Sequence, residues 1–172
     1  TITEADNIIV SIETDDGLKG FGECSPFMTI NGETAETCLA VGAMLSKLIK
    51  GKSALSIKEH VRAMDKLIYG NSSIKSAFDI ALHDIAAQHA GLPLYRFLGA
   101  KKNRVLETDM TVSIGSPEKM AEDARTYKEM GFPSIKVKLG GSPEEDHERI
   151  KAIRKAIGDK IPLRLDANQG WK

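Results

Sequence analysis

The sequence predicts an α/β chain in which residues 105–172 form part of a (β/α) barrel and residues 1–104 form a preceding α+β domain. Three observations predict it. From about Val105 the pattern runs strand, helix, strand, helix, strand at an even spacing. It is 27 residues from Thr111 to Lys138 and 28 from Lys138 to Asp166, close to the length of a βα unit. Each of these strand segments alternates polar with aliphatic residues, and upstream a hairpin-like segment gives way to a series of helical stretches.

The first domain reads as follows. Ile8 to Thr14 alternates, Asp15-Asp16-Gly17 turns, and Leu18 to Glu23 returns, which predicts a β-hairpin. Cys24 to Gly32, with Pro26, Phe27 and Ile30, is expected as a loop able to cover a pocket. Helices are expected over about Glu33–Lys50, Ser56–Tyr69 and Ser73–His89. The last of these carries Ile74, Ala77, Phe78, Ala81, Leu82 and Ile85 on one stripe. Gly91, Pro93 and Gly99 end the region. Thr1 is not a methionine and the chain opens almost directly into strand-like sequence. An upstream segment, including a first strand and any targeting signal, is therefore expected to be missing.

In the second domain both helices start alike, at Ser116-Pro117-Glu118 and Ser142-Pro143-Glu144. Each has a Ser N-cap followed by Pro at the first helical position, and Ser142 with Glu145 forms a capping box. Gly131 and Gly158 are their expected stops. Successive βα units demand a parallel sheet. Along the strands Asp109, Thr111 and Ser113, then Lys136 and Lys138, then Arg164, Asp166 and Asn168 share one side, because residues two apart in a strand face the same way. In an open sheet covered by helices on both faces these groups would be buried at several kcal/mol per unpaired charge. In a barrel they point into the lumen and line its mouth at the carboxyl ends of the strands. The barrel is therefore favoured over the doubly wound sheet. A whole barrel takes roughly 250 residues, so its remainder is expected outside this chain.

Lys+Arg and Asp+Glu each number 24, with 41% hydrophobic and 28% charged residues. These figures describe a folded soluble chain, with no net field to attract nucleic acid or an anionic membrane and no span to cross one. The expected partner is a small molecule. Cys24 and Cys38 fit free thiols in a reducing compartment, hence a cytoplasmic location, although one bridge is compatible with the sequence. The lysine pair carries the chemistry. Two strand rises place the amines about 7 Å apart, where their repulsion is roughly 2 kcal/mol at an effective dielectric of about 20. That makes one of them a candidate base near neutral pH.

As an ordered set these motifs resemble the enolase superfamily, within it the muconate lactonizing enzyme subgroup, and most closely the dipeptide epimerases. The matching residues are Glu107-Thr108-Asp109-Met110-Thr111-Val112-Ser113, Lys136-Val137-Lys138, and Leu165-Asp166-Ala167-Asn168-Gln169-Gly170-Trp171. Gly20-Phe21-Gly22-Glu23, Ala81-Leu82-His83-Asp84-Ile85 and Gly91-Leu92-Pro93 match upstream. The resemblance implies a capping α+β domain over a modified (β/α)7β barrel, with Mg²⁺ holding a substrate carboxylate. It implies that Lys138 is an acid/base residue and that Lys136 neutralises the carboxylate and tunes its neighbour. Asp166 would be one of three metal-ligating carboxylates, Thr111 would lie against the substrate, and Ile30 would contact the dipeptide side chain. The activity implied is epimerisation through an enediolate, a pattern already described for enolase-type sites. A muconate cycloisomerase or o-succinylbenzoate synthase-type enzyme is the alternative within the superfamily. A non-catalytic ligand-binding or oligomerisation piece is the alternative outside it, and a homo-oligomer is compatible with any of these.

Plainer readings stand beside these. An isolated Lys-x-Lys is ordinarily a solvated strand edge, and a lone Asp after a strand is ordinarily a turn or cap residue. The recurrence of polar strand ends one repeat apart reverses that reading. Asn168 either supports the ligand or is a loop hydrogen bonder, and Thr111 is equally a structural candidate. His60, His83, His89 and His147 lie on helical stretches without metal-ligand spacing. Cys24 shows no paired base, and Gly140-Gly141 reads as a turn.

Overall fold

The computed structural model describes residues 4–168, 170 and 171. The chain divides into two compact units, Thr1–Asn103 and Arg104–Lys172.

In the first unit β1 (Ile8–Glu13) and β2 (Lys19–Cys24) form the expected antiparallel hairpin, with Ile8 opposite Cys24 and Glu13 opposite Lys19. The segment expected as plain loop contains a single helical turn, α1 (Met28–Asn31). Asn31 shapes it. Its side-chain oxygen accepts the N–H groups of Phe27 and Glu33, and its amide donates to Ser73. Three longer helices follow as expected: α2 (Ala35–Ile49), α3 (Ile57–Leu67) and α4 (Ser72–His89). A further turn, α5 (Leu94–Phe97), follows α4. Thr34 and Thr37 cap α2 reciprocally.

The core of this unit places Val10, Cys24, Val41, Leu45, Ala77, Phe78, Ala81 and Leu82 together. Strand β2 meets α4 unusually closely. A Cβ at Gly22 would stand 1.8 Å from the carbonyl oxygen of Ala77, and one at Gly20 would stand 2.1 Å from that of Ala81. Two glycines facing two alanines let strand and helix backbones touch. Glu33, only 5% exposed, accepts from the Ser72 hydroxyl, the Ser73 N–H and the Cys38 thiol, and so satisfies the start of α4. Its hydrogen bonds outweigh the upward pull of burial, and its carboxyl lies below its ordinary value.

In the second unit β3 (Asp109–Val112), β4 (Ser134–Lys138) and β5 (Leu163–Asp166) form a parallel sheet in the order β3-β4-β5. Two helices connect them, α6 (Pro117–Glu129) and α7 (Pro143–Ile157). Ser116 accepts from the N–H of Lys119, and Ser142 and Glu145 form the expected capping box. Both helices pack on the same face of the sheet. Met120, Ala124, Ile153 and Ile157 enclose Val112, Ile135, Val137 and Leu139, all at most 2% exposed. The other face carries Asp109, Thr111, Lys136, Lys138, Arg164 and Asp166. One helix-covered face and one polar face are the geometry of a barrel wall, not of a doubly wound sheet.

Candidate active site

The site residues predicted on the strands come together through register. Thr111 stands opposite Lys136 on β3 and β4, and Lys138 stands opposite Asp166 on β4 and β5. Since these residues alternate with the aliphatics buried beneath the helices, all four share the polar face. Lys138 and Asp166 are the last residues of β4 and β5, while Thr111 lies one residue and Lys136 two residues before the ends of theirs.

Within this face Lys136 does not simply repel Lys138. Its Nζ lies 2.8 Å from Oδ2 of Asp166, with both side chains 31% exposed. The expected like-charge repulsion is thus met by a carboxylate, which the strand-by-strand reading of the sequence did not pair with Lys136. The Asp166 carboxyl is held below its ordinary value, first by the Lys136 hydrogen bond and then by the Asn168 N–H, with the charges of Lys136 and Lys138 adding to the effect. It is therefore a ready anion, the form a hard divalent cation requires.

Asn168 takes both of the roles weighed for it. Its N–H donates to Asp166 Oδ1 at 2.9 Å, closing a tight turn with φ +45° at Asn168. With its side-chain nitrogen turned toward the carboxylate, it also lies 3.2 Å from Oδ1. It is at once a loop hydrogen bonder and a support for the carboxylate. Gln169, from the same motif, lies outside the described residues. Toward the amino ends of the strands, Arg164 and Asp109 form an ion pair that spans β3 and β5. Ile30 belongs to the first unit, where it is 80% exposed on α1.

Among the described residues no three His, Cys, Asp or Glu side chains converge on a point. The Asp166 carboxylate is an oxygen donor of the kind Mg²⁺ takes, and by itself it supplies only part of such a coordination shell. Also among the described residues, no helix is long and apolar enough to cross a membrane.

Sequence reasoning missed Asp146, Arg149 and the anchoring of Trp171. Asp146 is 4% exposed and receives Arg149 at 2.8 Å and the Trp171 indole at 3.1 Å. The only signal for it was the Asp146/Arg149 spacing of three along a helix.

A parallel, one-sided barrel wall with two amines and a carboxylate on its polar face is the class of fold and site that the resemblance to the enolase superfamily implies. Comparison with known proteins makes the assignment. A family model described as "Mandelate racemase / muconate lactonizing enzyme, N-terminal domain" matches residues 1–99, and one described as "Enolase C-terminal domain-like" matches residues 119–172. The chain belongs to the mandelate racemase / muconate lactonizing enzyme family of the enolase superfamily.

It is similar to the D-Ala-D/L-Ala epimerase of Cytophaga hutchinsonii, with 59% identity over 99% of this chain and 46% of that protein. It is also similar to the L-Ala-D/L-Glu epimerase of Bacillus subtilis, with 41% identity over 100% of this chain and 47% of that protein. Among solved structures, the Cytophaga hutchinsonii dipeptide epimerase complexed with Mg and D-Ala-L-Val superposes with a TM-score of 0.95. The identity is 60%, over 98% of this chain and 46% of that one. The Enterococcus faecalis V583 dipeptide epimerase complexed with Mg and L-Leu-L-Tyr gives 0.92 at 42% identity, over 97% and 47% of the two chains. The chain spans about half the length of the curated relatives it matches.

Proposed function

We propose that this chain is part of a Mg²⁺-dependent dipeptide epimerase, a cytoplasmic isomerase that removes and returns the proton α to its substrate's carboxylate. The observation that carries the reading is the register of β4 on β5. It sets Lys138 beside Asp166 while Lys136 holds the Asp166 carboxylate at 2.8 Å. The dipeptide epimerases similar to this chain support the substrate class, and alanine-containing dipeptides are the first to test.

The chemistry requires this set. Removing a proton next to a carboxylate develops a second negative charge, which must be met by fixed positive groups aimed at it. When bound, Mg²⁺ supplies a Lewis-acid charge to the carboxylate oxygens. Asp166 would hold it, kept anionic by Lys136 and kept in place by Asn168. Lys136 also offers its own charge to the substrate carboxylate, and Thr111, across from it on β3, lies against the substrate. Lys138 takes the α-proton of one epimer on its own face, and in the reverse direction delivers a proton there. Inversion needs a second acid/base on the opposite face, and in this reading that group and the further metal ligands come from chain beyond these residues. Leu165 supports the idea of a continuing wall. It stands 50% exposed on the helix-facing side of β5, whereas Val137 opposite it on β4, and Val112 beyond that on β3, are fully buried.

The test is incubation of the full-length protein with Mg²⁺ and a panel of L,L- and D,L-dipeptides in D₂O, following α-deuterium by NMR. Exchange with inversion is expected, and an absence of exchange across the panel rejects the reading. An alkene product would instead indicate a lyase or cycloisomerase. Lys138→Ala should lower exchange by about 10²-fold to 10⁴-fold while sparing Mg²⁺ affinity, and Asp166→Asn should weaken Mg²⁺. The reverse pattern would exchange their roles.

A further inference from the structure

We propose that Asp146 is a positioning residue that fixes the strand ends bearing Lys138 and Asp166 relative to each other, by gathering the loops that follow β3, β4 and β5 onto one buried carboxylate. This rests on the functional reading above. Asp146 is the fourth residue of α7. Its Oδ2 accepts the Gly140 N–H at 3.0 Å and the Trp171 indole N–H at 3.1 Å. Its Oδ1 accepts Arg149 Nη1 at 2.8 Å, and Arg149 Nε in turn donates to the Gly115 carbonyl at 3.1 Å. Gly115 follows β3, Gly140 is two residues past Lys138, and Trp171 is five past Asp166. A single ion pair thus reaches the rim after each of the three strands.

The plain account of an acidic residue in a first helical turn is electrostatic complement to the helix dipole. It does not suffice here. Ser142 and Glu145 already cap α7, whereas the Asp146 oxygens receive donors from the loops. The loops after β4 and β5 also touch directly. A Cβ at Gly170 would stand 2.8 Å from the Gly140 Cα, so the backbones meet with no side chain between them. Two loops in such contact and bonded to one oxygen cannot shift independently. A displacement of an ångström at reacting groups can cost about 10²-fold in rate.

Two variants of the full-length protein decide it. Trp171→Phe keeps an aromatic ring and removes the N–H that Asp146 accepts, together with the second ring of the indole. Asp146→Asn leaves one oxygen and turns an amide nitrogen toward donors, so Arg149 and the loops cannot both be satisfied. Trp171→Phe should lower kcat for α-proton exchange about fivefold to tenfold, the loss of one hydrogen bond, with KM within twofold and the melting temperature nearly unchanged. In Asp146→Asn the amides of residues 139–141, 167, 168, 170 and 171 should exchange with solvent at least tenfold faster, while those of α6 keep their protection. Wild-type kcat in Trp171→Phe overturns the proposal, and so does undisturbed exchange in both loops. Should Asp146→Asn fail to fold, exchange at 167, 168, 170 and 171 in Trp171→Phe takes its place. Should the wild-type protein turn over no dipeptide, the functional reading fails and loop exchange alone decides whether Asp146 holds the rim.

Discussion

Two carboxylates in the second unit are held anionic in different ways. Asp166 is half-open, and a lysine and a turn amide hold it below its ordinary value. Asp146 is enclosed. Burial by itself would push its carboxyl up, but the hydrogen bonds from Trp171, Arg149, Gly140 and Gly141 outweigh that and lower it from 3.8. The linkage has a definite sign. A carboxyl depressed on folding contributes stability that is fully present above its unfolded pKa and is lost as pH falls through the lower folded value. Stability should therefore drop as pH falls below about 4, and Asp146→Asn should flatten the fall in that window, measured by urea titrations between pH 2 and 5. An equally steep acid limb in the variant would contradict the assignment. At Cys38 burial comes first, with Cys24 and Glu33 adding to it, and the thiol is pushed up to about 12. Since the thiolate is the reactive form, a thiol reagent at pH 8 should leave the Cys38 peptide unlabelled until the protein is unfolded; labelling at the rate of a free thiol would contradict its burial. At this scale the sequence made Lys136, Lys138 and Asp166 legible, because alternation puts each on the polar face. It could not show that Lys136 reaches across a strand to Asp166. Nor could it show Asp146 to be buried, since it follows Glu144 and Glu145 in the first turn of α7 and the indole that donates to it is 25 residues away.

Strand β2 shows how an element is placed by what its residues lack. Gly20 and Gly22 alternate with Phe21 and Glu23, so the face turned to α4 carries no side chain until Cys24, and Ala77 and Ala81 come to the backbone itself. Gly22→Ala would drive a methyl group into the Ala77 carbonyl, and backbone cannot swing aside as a flexible side chain would. Overpacking typically costs about 1–3 kcal/mol and sometimes more, and here the upper end or beyond is expected, read as a lower urea midpoint. A midpoint within experimental error of the wild type would mean that β2 and α4 are not in contact as described. The hairpin and the long helices were legible because alternation and 3.6-residue periodicity run over enough residues to be unmistakable. The one-turn helices α1 and α5 were not, since a single turn has no period. What shapes α1 is the Asn31 side chain bonding to Phe27, Glu33 and Ser73, and one of those partners lies 42 residues along the chain.

For the whole molecule, the decisive fact is that β3, β4 and β5 have helices on one face and charge on the other. The barrel class was legible in the sequence because polar residues recur at strand ends one βα unit apart, and only a lumen makes such a face tolerable. The ligand set is a different matter. Mg²⁺ takes oxygen ligands in near-ideal octahedral geometry and gives up its waters reluctantly, and among the described residues Asp166 has no converging pair of carboxylates to complete a protein site. One wall also presents its lysines from one side only, whereas inversion at a carbon needs a proton donor facing the acceptor across the substrate. The 172 residues prepared alone should therefore bind Mg²⁺ at least about 10²-fold more weakly than the full-length protein, the scale of losing two or more charge-assisted ligands. They should also exchange no α-proton of any dipeptide that the full-length protein epimerises. Calorimetry with Mg²⁺ and deuterium incorporation, run on both forms side by side, measure this. Turnover by the short chain at a rate near that of the full-length protein would place the opposite acid/base within these residues and break the assignment of Lys138 as one partner of a pair completed elsewhere.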